Sequence, residues 1–188
     1  MLHVRAEMEN KQVARLAKAF ASNVVIDSDG SAGTLRREAT EAGVPTITIE
    51  MGEAHRFQRG LIDRALAGVK SVFAEYSLLE TETVDWPGWR TIVDGSDEKT
   101  WLRADAGGLV DMHADRGAFV EAGTTICTSA NPFKTVTIEV TAPFDGLIVG
   151  VLENPVVYPG NPLCHLLRVD DQTQRAIERT RSSRPAGI

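Results

Sequence analysis

Cysteine is scarce in this chain, with only Cys127 and Cys164, far apart in sequence. That excludes a disulfide scaffold and any CxxC metal or redox site. Basic residues are outnumbered, 20 against 26 acidic, for a net charge of -6. A nucleic-acid surface needs a basic footprint, so that class of partner is excluded. No apolar run is long enough to span a bilayer, and the first residues hold no signal-peptide core. The expectation is a cytoplasmic protein with neither a membrane nor a nucleic acid as partner. A length of 188 residues suits one medium domain or two small ones.

What is present falls into two halves of different period. In residues 7–21 the positions Val13, Leu16, Ala17 and Phe20 recur at helical spacing, with Lys and Arg on the outer side. Asn23–Ile26 then reads as a short buried strand, followed by the polar turn Asp27-Ser28-Asp29-Gly30-Ser31. Thr34 is placed to cap a second helix that starts at Leu35 and stops at Gly43. Val44–Ile49 is largely β-branched and predicts a buried strand running straight into Glu50, with Gly52 free to turn behind it. Phe57–Leu79 gives a third helix. Helix, strand, helix, strand, helix predicts part of an open α/β sheet over residues 1–80.

The composition changes near Glu80. Residues 81–100 hold Pro87, Trp86, Trp89 and a Gly-Ser-Asp turn, and are expected to be a linker. Over 101–170 an internal repeat is visible. Gly108-Leu109-Val110 matches Gly146-Leu147-Ile148, Val120 matches Val157, and Ile126-Cys127 matches Leu163-Cys164. Two β-rich copies facing each other predict a small all-β barrel-sandwich hybrid, as in lipoyl and biotinyl carriers. Residues 171–188 are a charged tail, expected to be partly disordered.

An acid at a strand end, aimed into a cleft, is how a hydrolase presents a general base. Glu50 is therefore the leading catalytic candidate, beside the bland alternative of a helix cap or an arginine partner. Arg36 and Arg37 in the word GTLRREA are candidates for binding a substrate carboxylate, since a guanidinium fork gives it two parallel hydrogen bonds. Their bland alternative is a solvated pair of helix charges. Two cations on a first helical turn oppose the helix dipole, which argues for a use for at least one.

The words GTLRREA, TIEMGE, HVRAEM, AGGLV and APFDGLIVG, in this order along the chain apart from the early HVRAEM, resemble the succinylglutamate desuccinylase/aspartoacylase family. These are zinc-dependent hydrolases of small amides with a carboxypeptidase-like α/β domain. The resemblance implies that Glu50 activates the zinc-bound water, that Arg36 or Arg37 holds an N-acyl amino acid, and that zinc serves the intact enzyme. It also implies an early HxxE pair and a later DLH histidine as ligands. Neither word is present: His3, His55, His113 and His165 stand in other contexts. The expectation is therefore no metal ligand in this chain alone, which corresponds to the later portion of such an enzyme and is inactive by itself. Because a halved sheet leaves an edge beside Asn23–Ile26, a homo-oligomer or association through that edge is expected.

His55, in GEAHRF, fits a rim position or a helix cap, and the cap is the plainer account. Tyr158 reads as a half-buried hairpin tyrosine. Lys134 occupies the turn between the repeats, where a carrier holds its modified lysine, but Pro132-Phe133 before it fits neither a biotinyl nor a lipoyl context. Two rivals to the hydrolase thus stand: a non-catalytic binding or assembly module, and a lipoyl- or biotin-like carrier.

Overall fold

The structure is a computed structural model that describes residues 1–84, 91–94, 99–133 and 135–182. Lys134 lies outside the described residues, as do Trp86, Pro87 and Trp89. The chain divides into two compact units, one formed mainly by residues 2–96 and the other mainly by residues 97–174.

The first unit runs β1 (His3–Ala6), α1 (Lys11–Ala19), β2 (Val24–Asp27), α2 (Leu35–Glu41), β3 (Thr48–Glu50), α3 (Arg59–Glu75) and β4 (Thr91–Asp94). Its sheet has the order β3-β1-β2-β4, with β1, β2 and β4 parallel and β3 antiparallel to β1. Asn10 caps α1, its side-chain oxygen accepting from the backbone N–H of Gln12 and Val13. Val4, Ala6, Val13, Ala17, Phe20 and Val25 form the core, with Ile49, Leu61, Ala65 and Val72 packed against it. Helices α1 and α3 thus share one face of the sheet with the inward side of β1.

Three local expectations are corrected. Strand β2 is interior, flanked by β1 and β4; among the described residues the outer strands are β3 and β4, because Thr91–Asp94, inside the stretch expected as a linker, adds to the sheet. Val44 is exposed and regular pairing covers only Thr48–Glu50, since an edge strand has a partner on one side only. Thr34 holds the N-cap position without capping; its hydroxyl donates instead to the Ser31 carbonyl at 2.7 Å.

The second unit contains β5 (Lys99–Arg103), β6 (Gly108–Met112), β7 (Phe119–Val120), β8 (Thr125–Ala130), β9 (Thr137–Thr141), β10 (Gly146–Val151), β11 (Val156–Val157) and β12 (Pro162–Arg168). They form two antiparallel four-stranded sheets, β5-β12-β10-β7 and β11-β6-β8-β9. The repeat seen in sequence organises both. Strands β6, β7 and β8 correspond to β10, β11 and β12, and each copy lends its short middle strand to the other's sheet, since β7 pairs with β10 and β11 with β6. Side chains from both sheets meet in one core, with Ile126 from β8 against Ile148, Cys164 and Leu166. Among the described residues the two sheets stay separate and no closed barrel forms. Helix α4 (Asp171–Ser182) occupies part of the tail that was expected to be partly disordered.

Candidate functional site

Glu50 ends β3, and the antiparallel register sets it directly opposite His3 on β1. Residues two apart on a strand share a face, so Arg5 stands beside His3 on the side away from the α1–α3 core. The two carboxylate oxygens are divided between these neighbours. Oε2 lies 3.3 Å from His3 Nε2, and Oε1 accepts a hydrogen bond from Arg5 Nε. The hydrogen bond with His3, then that with Arg5 and its charge, hold the Glu50 carboxyl at about 2, against the opposing effect of burial. The carboxylate side chain is 44% exposed while the His3 ring is buried.

Arg36, on the first turn of α2, is only 7% exposed. Its Nη1 donates to the Ser28 carbonyl and its Nη2 to the Ser28 hydroxyl at 3.2 Å. Burial, and next the nearby Arg5 cation, push the Arg36 guanidinium below its ordinary value, with Asp29, Glu7 and Asp27 acting the other way. Arg5 therefore has two charged neighbours, Glu50 on β3 and Arg36 on α2. Arg37 points elsewhere: Nε donates to Glu41 at 2.7 Å, an i,i+4 pair, and Nη1 to the Gly30 carbonyl at 3.3 Å. Of the three predicted site residues, Glu50 and Arg36 each interact with Arg5 and Arg37 sits on the outer side of α2.

Beyond Glu50 the chain turns sharply at Gly52, whose φ of 75° lies in the left-handed region. Glu53 then folds inward, accepting from Gln58 Nε2 at 2.6 Å and pairing with Arg56 at 3.5 Å. His55 is exposed, also with a positive φ of 63°. Tyr158 is exposed on the second unit, with its backbone N–H bonded to Asn161 Oδ1. His165 is buried and stacks on Trp101, ring centroids 4.4 Å apart, while His113 Nε2 is 3.2 Å from the Thr128 hydroxyl. No group of three or more His, Cys, Asp or Glu among the described residues is arranged to hold a metal ion. A cleft between α1 and α3, lined by Lys11, Arg15, Lys18, Ser71 and Glu75, contains none of the predicted site residues.

Sequence reasoning weighed His3 only as a possible metal ligand and passed over Arg5. The alternation in His3-Val4-Arg5 signalled a shared face, but the partner on that face depended on the register with β3.

Residues 1–76 match the family model of the succinylglutamate desuccinylase/aspartoacylase catalytic domain. Over those residues the chain is similar to that family. Solved structures agree on the fold. The apo ectoine utilization protein EutE (DoeB) from Ruegeria pomeroyi superposes with a TM-score of 0.80 at 19% identity, over 90% of this chain and 55% of that one. A succinylglutamate desuccinylase from Silicibacter sp. TM1040 gives 0.75 at 19% identity, over 89% and 54%. A succinylglutamate desuccinylase/aspartoacylase from Rhodobacter sphaeroides gives 0.76 at 16%, over 90% and 53%. The chain thus spans about half the length of the solved structures it matches. No curated protein matches it in sequence.

Proposed function

We propose that this chain carries the base and part of the anion-binding surface of a hydrolase acting on small amides of the N-acyl amino acid type. The observation that carries this reading is the placement of Glu50 at the end of β3 against the Arg5 guanidinium, which in turn lies close enough to Arg36 to lower it, within the segment that matches the family's catalytic domain. In this reading Glu50 takes a proton from the attacking water and returns it to the leaving amine. The substrate carboxylate binds at Arg5 and Arg36. Arg5 is the more accessible of the two, and a carboxylate that takes Arg5 releases Glu50, raising its basicity when substrate is present.

The family implies zinc, and a catalytic zinc needs three protein ligands and an open position. The donors at hand do not fit it. His3 and Glu50 are two, not three, and the Arg5 cation stands against the same carboxylate. No step is therefore routed through a metal on these residues. The barrel-sandwich character of the second unit belongs to this proposal too, supported by the duplicated strands and their exchanged pairing.

Calorimetric titration with N-succinyl and N-acetyl amino acids tests the reading. Binding is expected for the native chain, weakened in Arg36→Lys, which keeps the charge but loses the fork, and unchanged in Arg37→Ala. Absence of binding by the native chain would overturn it. In a polypeptide that turns over such an amide with these residues, Glu50→Gln should cost about 10²–10⁴-fold in rate.

A second reading, a non-catalytic binding or assembly module, is favoured by one observation. A carboxyl held at about 2 by His3 and Arg5 is a weak base near neutral pH. Ligand binding with no turnover, and with Glu50→Gln indistinguishable from the native chain, would select it.

A further inference from the structure

Helix α3 has two apolar stripes, and among the described residues only one of them packs into the α/β core. Leu61, Ala65 and Val72 pack into the α/β core, and Gly68 approaches so closely that a Cβ there would meet the Phe20 carbonyl at 2.7 Å. The second stripe, about a quarter-turn round the helix, is Ile62, Leu66, Val69 and Phe73. Leu66 is 54% exposed, Phe73 44% and Val69 37%. The spacing of four, three and four residues is a heptad seam, the pattern by which one helix packs along another.

We infer that this stripe is the contact by which two copies of the chain associate, α3 against α3 in antiparallel orientation about a two-fold axis. The charges beside the seam decide the occupant. An isologous contact must be complementary to itself. With Leu66 opposite Val69 of the second copy, Ile62 falls opposite Phe73, so the large residues alternate across the axis. The same register brings Asp63 beside Lys70 of the second copy, and Lys70 beside its Asp63. These are the only two charged positions on the outer flank between Ile62 and Phe73, and they are of opposite sign. The inner flank, Ala65 and Val72, is apolar. A parallel arrangement would instead set this charged flank against the apolar flank of the second copy, leaving Asp63 and Lys70 without each other. The helix of 17 residues is about 25 Å long at 1.5 Å per residue, enough for three to four turns of continuous contact. This association uses a helix face, and so differs from pairing through the sheet edges of β3 or β4.

Sedimentation velocity of the native full chain over a wide concentration range is the test. A concentration-dependent dimer is expected, and Leu66→Glu should be monomeric with an unchanged circular dichroism spectrum. Asp63→Lys and Lys70→Asp, both exposed and so harmless to folding, should each weaken the dimer about tenfold, since two pairs are lost and two like-charge contacts made. The double variant D63K/K70D should restore the native affinity. A native chain that stays monomeric would overturn the inference and leave the stripe to a different polypeptide. A dimer indifferent to Leu66→Glu, or single charge reversals that the double variant does not rescue, would overturn it equally.

Discussion

His3 stands directly across the β1–β3 ladder from Glu50, with Nε2 3.3 Å from Oε2. The opposite oxygen is taken by Arg5, so both acceptor positions of the carboxylate are engaged by groups from one neighbouring strand. This ties the carboxylate's ionisation to folding. The folded carboxyl titrates at about 2, below its ordinary 4.5. A depressed carboxyl contributes stability that is fully present above the unfolded value and is lost as pH falls through the folded one. The window runs from about 4.5 down to about 2. Because the group is partly exposed, solvent screening limits the contribution to about 1 kcal/mol. Urea midpoints should therefore be lower for Glu50→Gln than for the native chain at neutral pH, and the two should converge on acidification. A constant gap across that range would show that the loss comes from packing and not from charge.

Arg5 should govern the ionisation of Glu50 with no change of fold. Arg5→Met keeps the aliphatic stem and removes one hydrogen bond and one positive charge from the carboxylate. The Glu50 carboxyl should then titrate closer to its ordinary range, read by carbon NMR of the labelled glutamates with Glu50→Gln as the assignment control. The same change removes the cation that pushes Arg36 down. An unmoved Glu50 titration would mean that the carboxylate does not depend on Arg5.

The adjacent arginines of α2 should behave unequally. Arg36 is buried and satisfies the Ser28 carbonyl. Removing it as Arg36→Ala strands that acceptor and should cost about 1–3 kcal/mol. Arg37 makes an exposed i,i+4 pair with Glu41, so Arg37→Ala should cost about 0.5 kcal/mol or less. Denaturant unfolding of the two variants measures both. Equal losses would contradict the burial difference between them.

The words that hold the candidate residues were legible in sequence because they are local. GTLRREA and TIEMGE placed Arg36 and Glu50 without any knowledge of pairing, and the helical period located α1 and α3 near their observed positions. The repeat Gly108-Leu109-Val110 with Gly146-Leu147-Ile148 likewise marked β6 and β10. What depended on long-range pairing was not legible. The partners of Glu50 come from a strand 45 residues away, and no period in the sequence says that β3 lies antiparallel to β1. Thr91–Asp94 sits among turn-forming residues and reads as connection, yet it pairs with β2. The exchange of β7 and β11 between the two copies follows from register, which a repeat alone does not specify.

That exchange yields the last prediction. Gly108 and Gly146 open corresponding strands of the two copies, and a Cβ at either would meet a backbone carbonyl oxygen at 2.5 Å, that of Ala130 for Gly108 and of Leu167 for Gly146. Both contacts are with backbone, which cannot swing aside as a long side chain can. Gly108→Ala and Gly146→Ala should therefore each destabilise the second unit by about 1–3 kcal/mol, the range for overpacking a tight site. The similar contact distances predict similar losses, because the two positions are the same position in the repeat. A side chain approaches each position as well, Ser129 Oγ at Gly108 and Leu166 Cγ at Gly146, both at 3.0 Å, which keeps the two sites equivalent. Thermal unfolding of the two single variants checks this. Tolerance at one glycine with a large loss at the other would mean that the copies do not share the close approach on which the paired sheets are built.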